Sequence, residues 1–331
     1  MKQLSLFFAL IIICLSCNDS GKQYVEVPYE TISNGIPVNF PGKMLVDSKY
    51  IYLETPTSTD FGLRLYDLQS GEEIGRFITK GRGPEEFVTT RIQQVMNKSV
   101  YFISYNPTKE VIIEILDPHG GESKITYLPG DIEQFTAIQY IDDTSRVALQ
   151  PLQRNLFRYY TPSRVLEFGD LFSTDVIENG YDKLQGAIEY NTRKDILVYA
   201  VYSIPYIGIY EYSNESFNLI NEVKDARQYK LEGNKIVTKN QQKGCVGLSL
   251  TEDYIVTIQR DYEKDNTDEN TVGIDASKLP QTLFVYTYKG LLHKIIDLKA
   301  PVLRIASTQN NNTVYAIIYQ DNEFKIIKLN I

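Results

Sequence analysis

The sequence predicts an all-β protein: a six-bladed β-propeller with four-stranded blades, its ring closed by an N-terminal strand. Three observations predict it. Six short apolar segments recur in series, Ile51-Tyr52-Leu53, Val100-Tyr101-Phe102, Val147-Ala148-Leu149, Ile196-Leu197-Val198, Ile255-Val256-Thr257 and Val314-Tyr315-Ala316, with starts 49, 47, 49, 59 and 59 residues apart. Polar turn residues precede each of them, and a second hairpin follows most of them. Helical periodicity over a helix-length window is nearly absent. Four strands in a serial unit of roughly 50 residues match propeller blades, whereas parallel β-helices use much shorter repeats.

The elements follow in order. An apolar segment such as Met44-Leu45-Val46 or Ala137 to Ile141 reads as the inner strand of a blade. A turn then leads into the recurring second strand, for example Asp47-Ser48, Asn97-Lys98 or Asp142-Asp143-Thr144. In the second hairpin, Leu63 to Asp67 turns at Gln69-Ser70-Gly71 into Ile74 to Ile78, and Ile207 to Tyr212 turns at Ser213-Asn214. Alternation of β-branched and aromatic residues, bounded by Gly, Asn and Asp, supports strands and hairpins. The last unit has only three strands after Leu303, and Tyr24 to Thr31 is a strand without a unit. The segment Tyr24 to Thr31 therefore supplies the missing outer strand of blade 6, with Pro28 on an edge that tolerates it.

Residues 1–16 stand apart. Lys2 is followed by an apolar run from Leu4 to Leu15, too short to span a bilayer and suited to a signal-peptide core. The run ends in Leu15-Ser16-Cys17 before a polar stretch, which resembles the lipobox of bacterial lipoproteins, with Cys14 where those proteins usually carry leucine. The resemblance implies cleavage before Cys17 and acylation of its thiol. The alternative is a plain secretory signal. Residues 17–23 then form a lipidated tether and 24–331 the propeller. No other apolar run approaches membrane-spanning length. The six tether residues Asn18 to Gln23 have a flexible span of roughly 12–15 Å. A strand at Tyr24 to Thr31 entering from the hairpin-turn face would hold that face toward the lipid.

The stretch Lys80-Gly81-Arg82-Gly83-Pro84-Glu85-Glu86-Phe87 resembles the blade connector of the TolB-like six-bladed propeller lipoproteins of Bacteroidota, and more distantly NHL repeats; Pro129 to Phe135 is a fainter echo. The resemblance implies the fold and assigns no activity. Within the connector, Gly81 and Gly83 are expected at positive φ, Glu85 and Glu86 in a short helical turn, and Phe87 in the core.

Composition limits function. The chain is acidic, with a formal charge of −8 and no basic cluster, which argues against nucleic acid. Three cysteines, two of them in or at the leader, leave Cys245 without an intrachain partner and point to a buried apolar role. The two histidines, His119 and His293, make no metal-ligand cluster. Neither a metal nor a cofactor is expected. The acidic run Arg260 to Asn270 lacks the spaced ligands of a calcium loop and reads as a solvated insertion. The 25 tyrosines read mostly as strand residues.

Within a blade, the loops between second and third strands share a face with the connectors. Arg82, Tyr105, Arg154, Tyr202 and Arg260 are therefore candidates for a ligand-binding rim around the central channel, Arg82 as a guanidinium for an anion or carboxylate. The alternative for Arg82 is a purely architectural link between blades. The expected function is a non-catalytic, monomeric scaffold, lipid-anchored in the cell envelope at the outer membrane and binding a small ligand, a glycan or an envelope protein. The rival is a glycan-active hydrolase or lyase with paired carboxylates facing the channel.

Overall fold

The computed structural model describes residues 24–105, 107–128, 135–171, 177–225, 228–238, 244–261 and 275–331. Six blades of four antiparallel strands each form in chain order. Blade 1 comprises Met44–Val46, Tyr50–Glu54, Phe61–Asp67 and Glu73–Thr79; blade 2 comprises Thr89–Met96, Ser99–Tyr105, Lys109–Asp117 and Glu122–Tyr127. Blade 3 comprises Ala137–Tyr140, Arg146–Leu149, Asn155–Tyr160 and Val165–Asp170; blade 4 comprises Gly186–Asn191, Ile196–Val201, Tyr206–Ser213 and Ser216–Lys224. Blade 5 comprises Cys245–Leu250, Tyr254–Gln259, Thr282–Thr287 and Leu292–Asp297. Blade 6 takes three strands from the C-terminal segment, Val302–Ser307, Thr313–Gln320 and Glu323–Asn330, and its outer strand, Tyr29–Ser33, from the N-terminal segment.

The cores lie between blades. Tyr52, Leu63 and Phe77 of blade 1 pack with Ile92, Phe102 and Val111 of blade 2. Phe157 of blade 3 meets Tyr199 and Tyr210 of blade 4 edge-on, at 5.1 and 5.5 Å between ring centroids. Equivalent clusters join blades 2 and 3, 4 and 5, 5 and 6, and 6 and 1. Each second strand is buried on both faces, which is why it reads as an unbroken apolar run rather than an alternating one. The tyrosines serve this packing: Tyr52, Tyr199 and Tyr206 are among the largest fully buried side chains.

Turn chemistry sets the register. The Asp47 carboxylate accepts from the N–H of Lys49 and of Tyr50, both at 2.7 Å. Asp142 does the same for Thr144 and Ser145, and Asn191 for Arg193 and Lys194. These are Asx turns, in which the side chain takes the place of a backbone acceptor. In blade 2, Asn97 and Lys98 are both left-handed, at φ 50° and 63°, as a two-residue type I′ hairpin requires.

Two sequence expectations need correction. The segment Tyr24 to Thr31 is not one strand. Tyr24–Val25 runs parallel along the outer strand of blade 5, opposite Ile295 and Ile296, and Tyr29–Ser33 pairs antiparallel with the last strand of blade 6. Pro28 falls in the crossing between them, where a residue without an N–H removes no ladder bond. The Tyr24 hydroxyl donates to Asp261 at 2.7 Å, so the described chain joins the ring at blade 5 rather than at the hairpin-turn face of blade 6. Tether residues 17–23 lie outside the described residues.

The connector differs as well. Gly81 and Gly83 do not adopt positive φ; Glu85 does, at 62°. No helical turn forms there. The Glu86 carboxylate folds back to accept the Gly83 N–H at 2.7 Å. A Cβ on Gly81 would lie 1.9 Å from that carboxylate, so a side chain there would displace Glu86 from the turn. Phe87 is buried as expected, edge-on to Phe102 at 5.1 Å.

Candidate functional site

The inner strands surround a channel. Near their starts, Lys43, Arg91, Ala137, Ala187, Gly247 and Arg304 come in turn from blades 1 to 6, each directly before a large apolar residue: Met44, Ile92, Ile138, Ile188, Leu248 and Ile305. With Glu54, Gln93, Glu189 and Tyr202 they line a cavity of about 350 Å³ on the connector side. A second cavity of about 340 Å³ is lined by the inner-hairpin turns, among them Asp47, Thr192 and Gln309. Lys43, Gln93 and Glu189 line both, and so form the waist between the two chambers.

The charged side chains are held by the splay of the blades. Adjacent inner strands are not paired backbone to backbone, and side chains satisfy their free amides. Glu54, the last residue of its strand, accepts the N–H of Lys43 at 3.0 Å and of Ile92 at 2.9 Å, joining blade 1 to blade 2. Gln93 accepts the Ile138 N–H at 2.9 Å, joining blades 2 and 3. Glu189 accepts the Leu250 N–H at 3.0 Å, joining blades 4 and 5. Arg304 donates Nε to the Gly42 carbonyl and Nη1 to its neighbour Leu303, both at 2.8 Å, joining blade 6 to blade 1. The Lys43 ammonium donates to the Gln93 carbonyl at 2.5 Å.

Electrostatics follow from this enclosure. Burial lowers the Lys43 ammonium from its ordinary value; Arg91 adds to the shift, and Glu189 and Glu54 oppose it. Burial raises Glu189 to about 7 against the pull of Lys43 and the Leu250 N–H. Both members of this pair move toward neutrality, so desolvation outweighs their attraction. Burial also lowers Arg304, against Glu54 and Tyr202, and raises the Tyr202 hydroxyl, against Arg91 and Arg304. Among the described residues no carboxylate stands at ion-pair distance from Lys43, Arg91 or Arg304. Arg64 and Arg146, elsewhere in the blades, do have such partners: Glu73 at 2.6 Å and Glu110 at 3.3 Å.

The five sequence candidates do not gather in one place. Tyr202 lines the channel cavity. Arg82 is exposed and lines a separate surface cavity of about 540 Å³, with Lys109 and Tyr127. Tyr105 is half-buried against the cluster of Tyr101, Ile103 and Tyr140. Arg154 is exposed and bridges to Asp170 of its own blade at 3.1 Å. Arg260 donates to the Lys278 carbonyl at 3.0 Å. Asn106, residues 129–134 of the connector echo and 262–274 of the acidic insertion lie outside the described residues. Lys43, Glu54, Arg91, Gln93, Glu189 and Arg304 escaped the sequence reading. Their signal is a polar side chain in or beside a strand otherwise read as apolar. Cys245 is buried, its thiol pushed up by burial to about 12. His293 stacks on Tyr254, and among the described residues no group of three potential ligands is placed to hold a metal ion.

No protein-family profile matches the chain, and no curated protein compared with it does. Solved structures do. A member of the DUF4221 family from Bacteroides vulgatus superimposes with a TM-score of 0.59 at 11% identity, over 93% of this chain and 98% of that one. Chaetomium thermophilum Raptor gives 0.52 at 9% identity, over 92% of this chain and 29% of that one. The β-propeller domain of Myceliophteria thermophila Cps50 (Swd1) gives 0.49 at 10% identity, over 86% and 82%. At such identities a likeness speaks for fold alone, and with the six four-stranded blades it agrees on one conclusion: the chain is a six-bladed β-propeller.

Proposed function

We propose that this propeller is an envelope lipoprotein, anchored through acylated Cys17 at the outer membrane, that binds a small ligand in its connector-side cavity without turning it over. The leader and lipobox of residues 1–17 support the anchoring, and the connector at Lys80 to Phe87 supports kinship with the TolB-like propellers. One observation carries the binding role: a cavity of about 350 Å³, of ligand size, with convergent charged and hydrogen-bonding side chains fixed from several blades. The glycan-active alternative draws on the same cavity, because Glu54 and Glu189 both line it. A two-carboxylate mechanism needs both groups free to act on substrate. Glu54 has each oxygen committed to a backbone N–H of a different blade, which favours binding over catalysis.

Incubation of the purified full chain with envelope glycans, peptides and plant polysaccharides tests this. Saturable binding with no product supports the proposal, and steady product formation lost in Glu189→Gln would establish the enzyme. Incorporation of a labelled fatty acid in cells, abolished in Cys17→Ala, tests the anchor.

A further inference from the structure

Resting on the reading of the channel as a binding site, we infer that the connector-side cavity holds the oxyanion of a small organic acid. Lys43, Arg91 and Arg304 contact the anionic group, and the uncharged remainder lies against blades 3 to 5. The inner-strand position that lines the cavity has a cation in blades 6, 1 and 2, which are neighbours in the ring, and Ala137, Ala187 or Gly247 in the other three. The cations are therefore gathered on one side of the mouth, and on the opposite side small residues leave room beside Glu189 and Tyr202.

Three cations share this cavity with two carboxylates, Glu54 and Glu189. Enclosed cations are unfavourable unless paired, and no described carboxylate reaches ion-pair distance of these three. Glu54 is turned onto the Lys43 and Ile92 amides, and Glu189 reaches the Leu250 amide across the waist. Arg304 has Nε and Nη1 fixed on carbonyls, which holds the guanidinium in one orientation before any ligand arrives. Planar guanidiniums held in this way suit a carboxylate or phosphate, whose oxygens accept several N–H bonds at once. The cavity of about 350 Å³ suits a molecule the size of a sugar acid rather than a polymer.

Calorimetric titration of the full chain in detergent at low salt, with glucuronate, glucose and inorganic phosphate as probes, tests the inference. Glucose matches glucuronate except for the carboxylate. Glucuronate and phosphate are expected to bind saturably, with glucose at least about tenfold weaker. Arg91→Gln should weaken glucuronate by about tenfold or more, the usual effect of losing one charged hydrogen bond. Arg91→Lys should fall between. The melting temperature should barely change in either variant, because no ion pair is lost. Glucose binding as tightly as glucuronate, with both lost in Tyr202→Ala, would overturn the anion assignment and leave the channel standing as a binding site. Absence of saturable binding by glucuronate and phosphate, or binding indifferent to Arg91→Gln and Arg304→Gln, would overturn it too.

Discussion

Replacing Glu189 with glutamine isolates the electrostatics of the channel waist, because the amide keeps an oxygen for the Leu250 N–H while removing the charge. Lys43, Tyr202 and Tyr288 are the titratable groups that interact with this carboxylate. Burial raises it from an ordinary 4.5 to about 7. In that window the folded state therefore binds more protons than the unfolded state. Stability from this group is fully present below pH ~4.5 and is lost as pH rises through ~7. At about 1.4 kcal/mol for each pH unit between these two values, the loss reaches at most ~3.5 kcal/mol. Wild type and Glu189→Gln should be equally stable near pH 4.5, and the variant should be the more stable above pH 7, by up to that amount. Urea unfolding of both proteins at half-unit steps from pH 4.5 to 8 measures the difference, and groups that titrate alike in the two cancel. Parallel stability curves would refute the reasoning. A variant less stable at pH 8 would do so more sharply, since it would mean that the charged Glu189–Lys43 pair is net stabilising.

Deleting residues 24–33 should expose the outer edges of blades 5 and 6 and produce soluble aggregates with a lowered melting temperature, read by light scattering after gel filtration against the full chain. Gly42→Ala would place a Cβ 2.6 Å from the Glu54 carboxylate, and should destabilise by about 1–3 kcal/mol in urea titrations. The Cys245 thiol, buried and raised to about 12, should resist an aromatic disulfide reagent at pH 8 until the protein is unfolded; prompt reaction of the native protein would show that its strand opens.

The blades were legible because their signals are local. All six apolar triplets fall in the second strands, where burial on both faces leaves no room for polar alternation. The turn residues Asp47, Asp142 and Asn191 carry their own hydrogen-bond logic. The longer step from Ile196 to Ile255 has its cause in an extra hairpin, Tyr229–Glu232 with Lys235–Thr238, that no period announced. The site was less legible because it is assembled from six blades. Arg154 looks as available as Tyr202 in sequence, yet only the fold shows Asp170 beside the first and the channel beside the second. Lys43, Arg91 and Arg304 become a set once the inner strands are aligned on Met44, Ile92 and Ile305. Singly, each is one charge next to an apolar residue.

The closure of blade 6 imposes an order in time. Its outer strand precedes blades 1 to 5 in the chain and its partner, Glu323–Asn330, follows them, so Glu30 waits for Lys328 until all five of those blades have been made. Until then blade 6 lacks its third strand, and Thr313–Gln320 and Tyr29–Ser33 both present open edges. A chain stalled or clipped before that strand keeps those edges exposed, a state that invites pairing with other chains and removal by proteases. The joint between Tyr29–Ser33 and Glu323–Asn330 thereby works as a check of completeness: these edges are covered only when every blade is present.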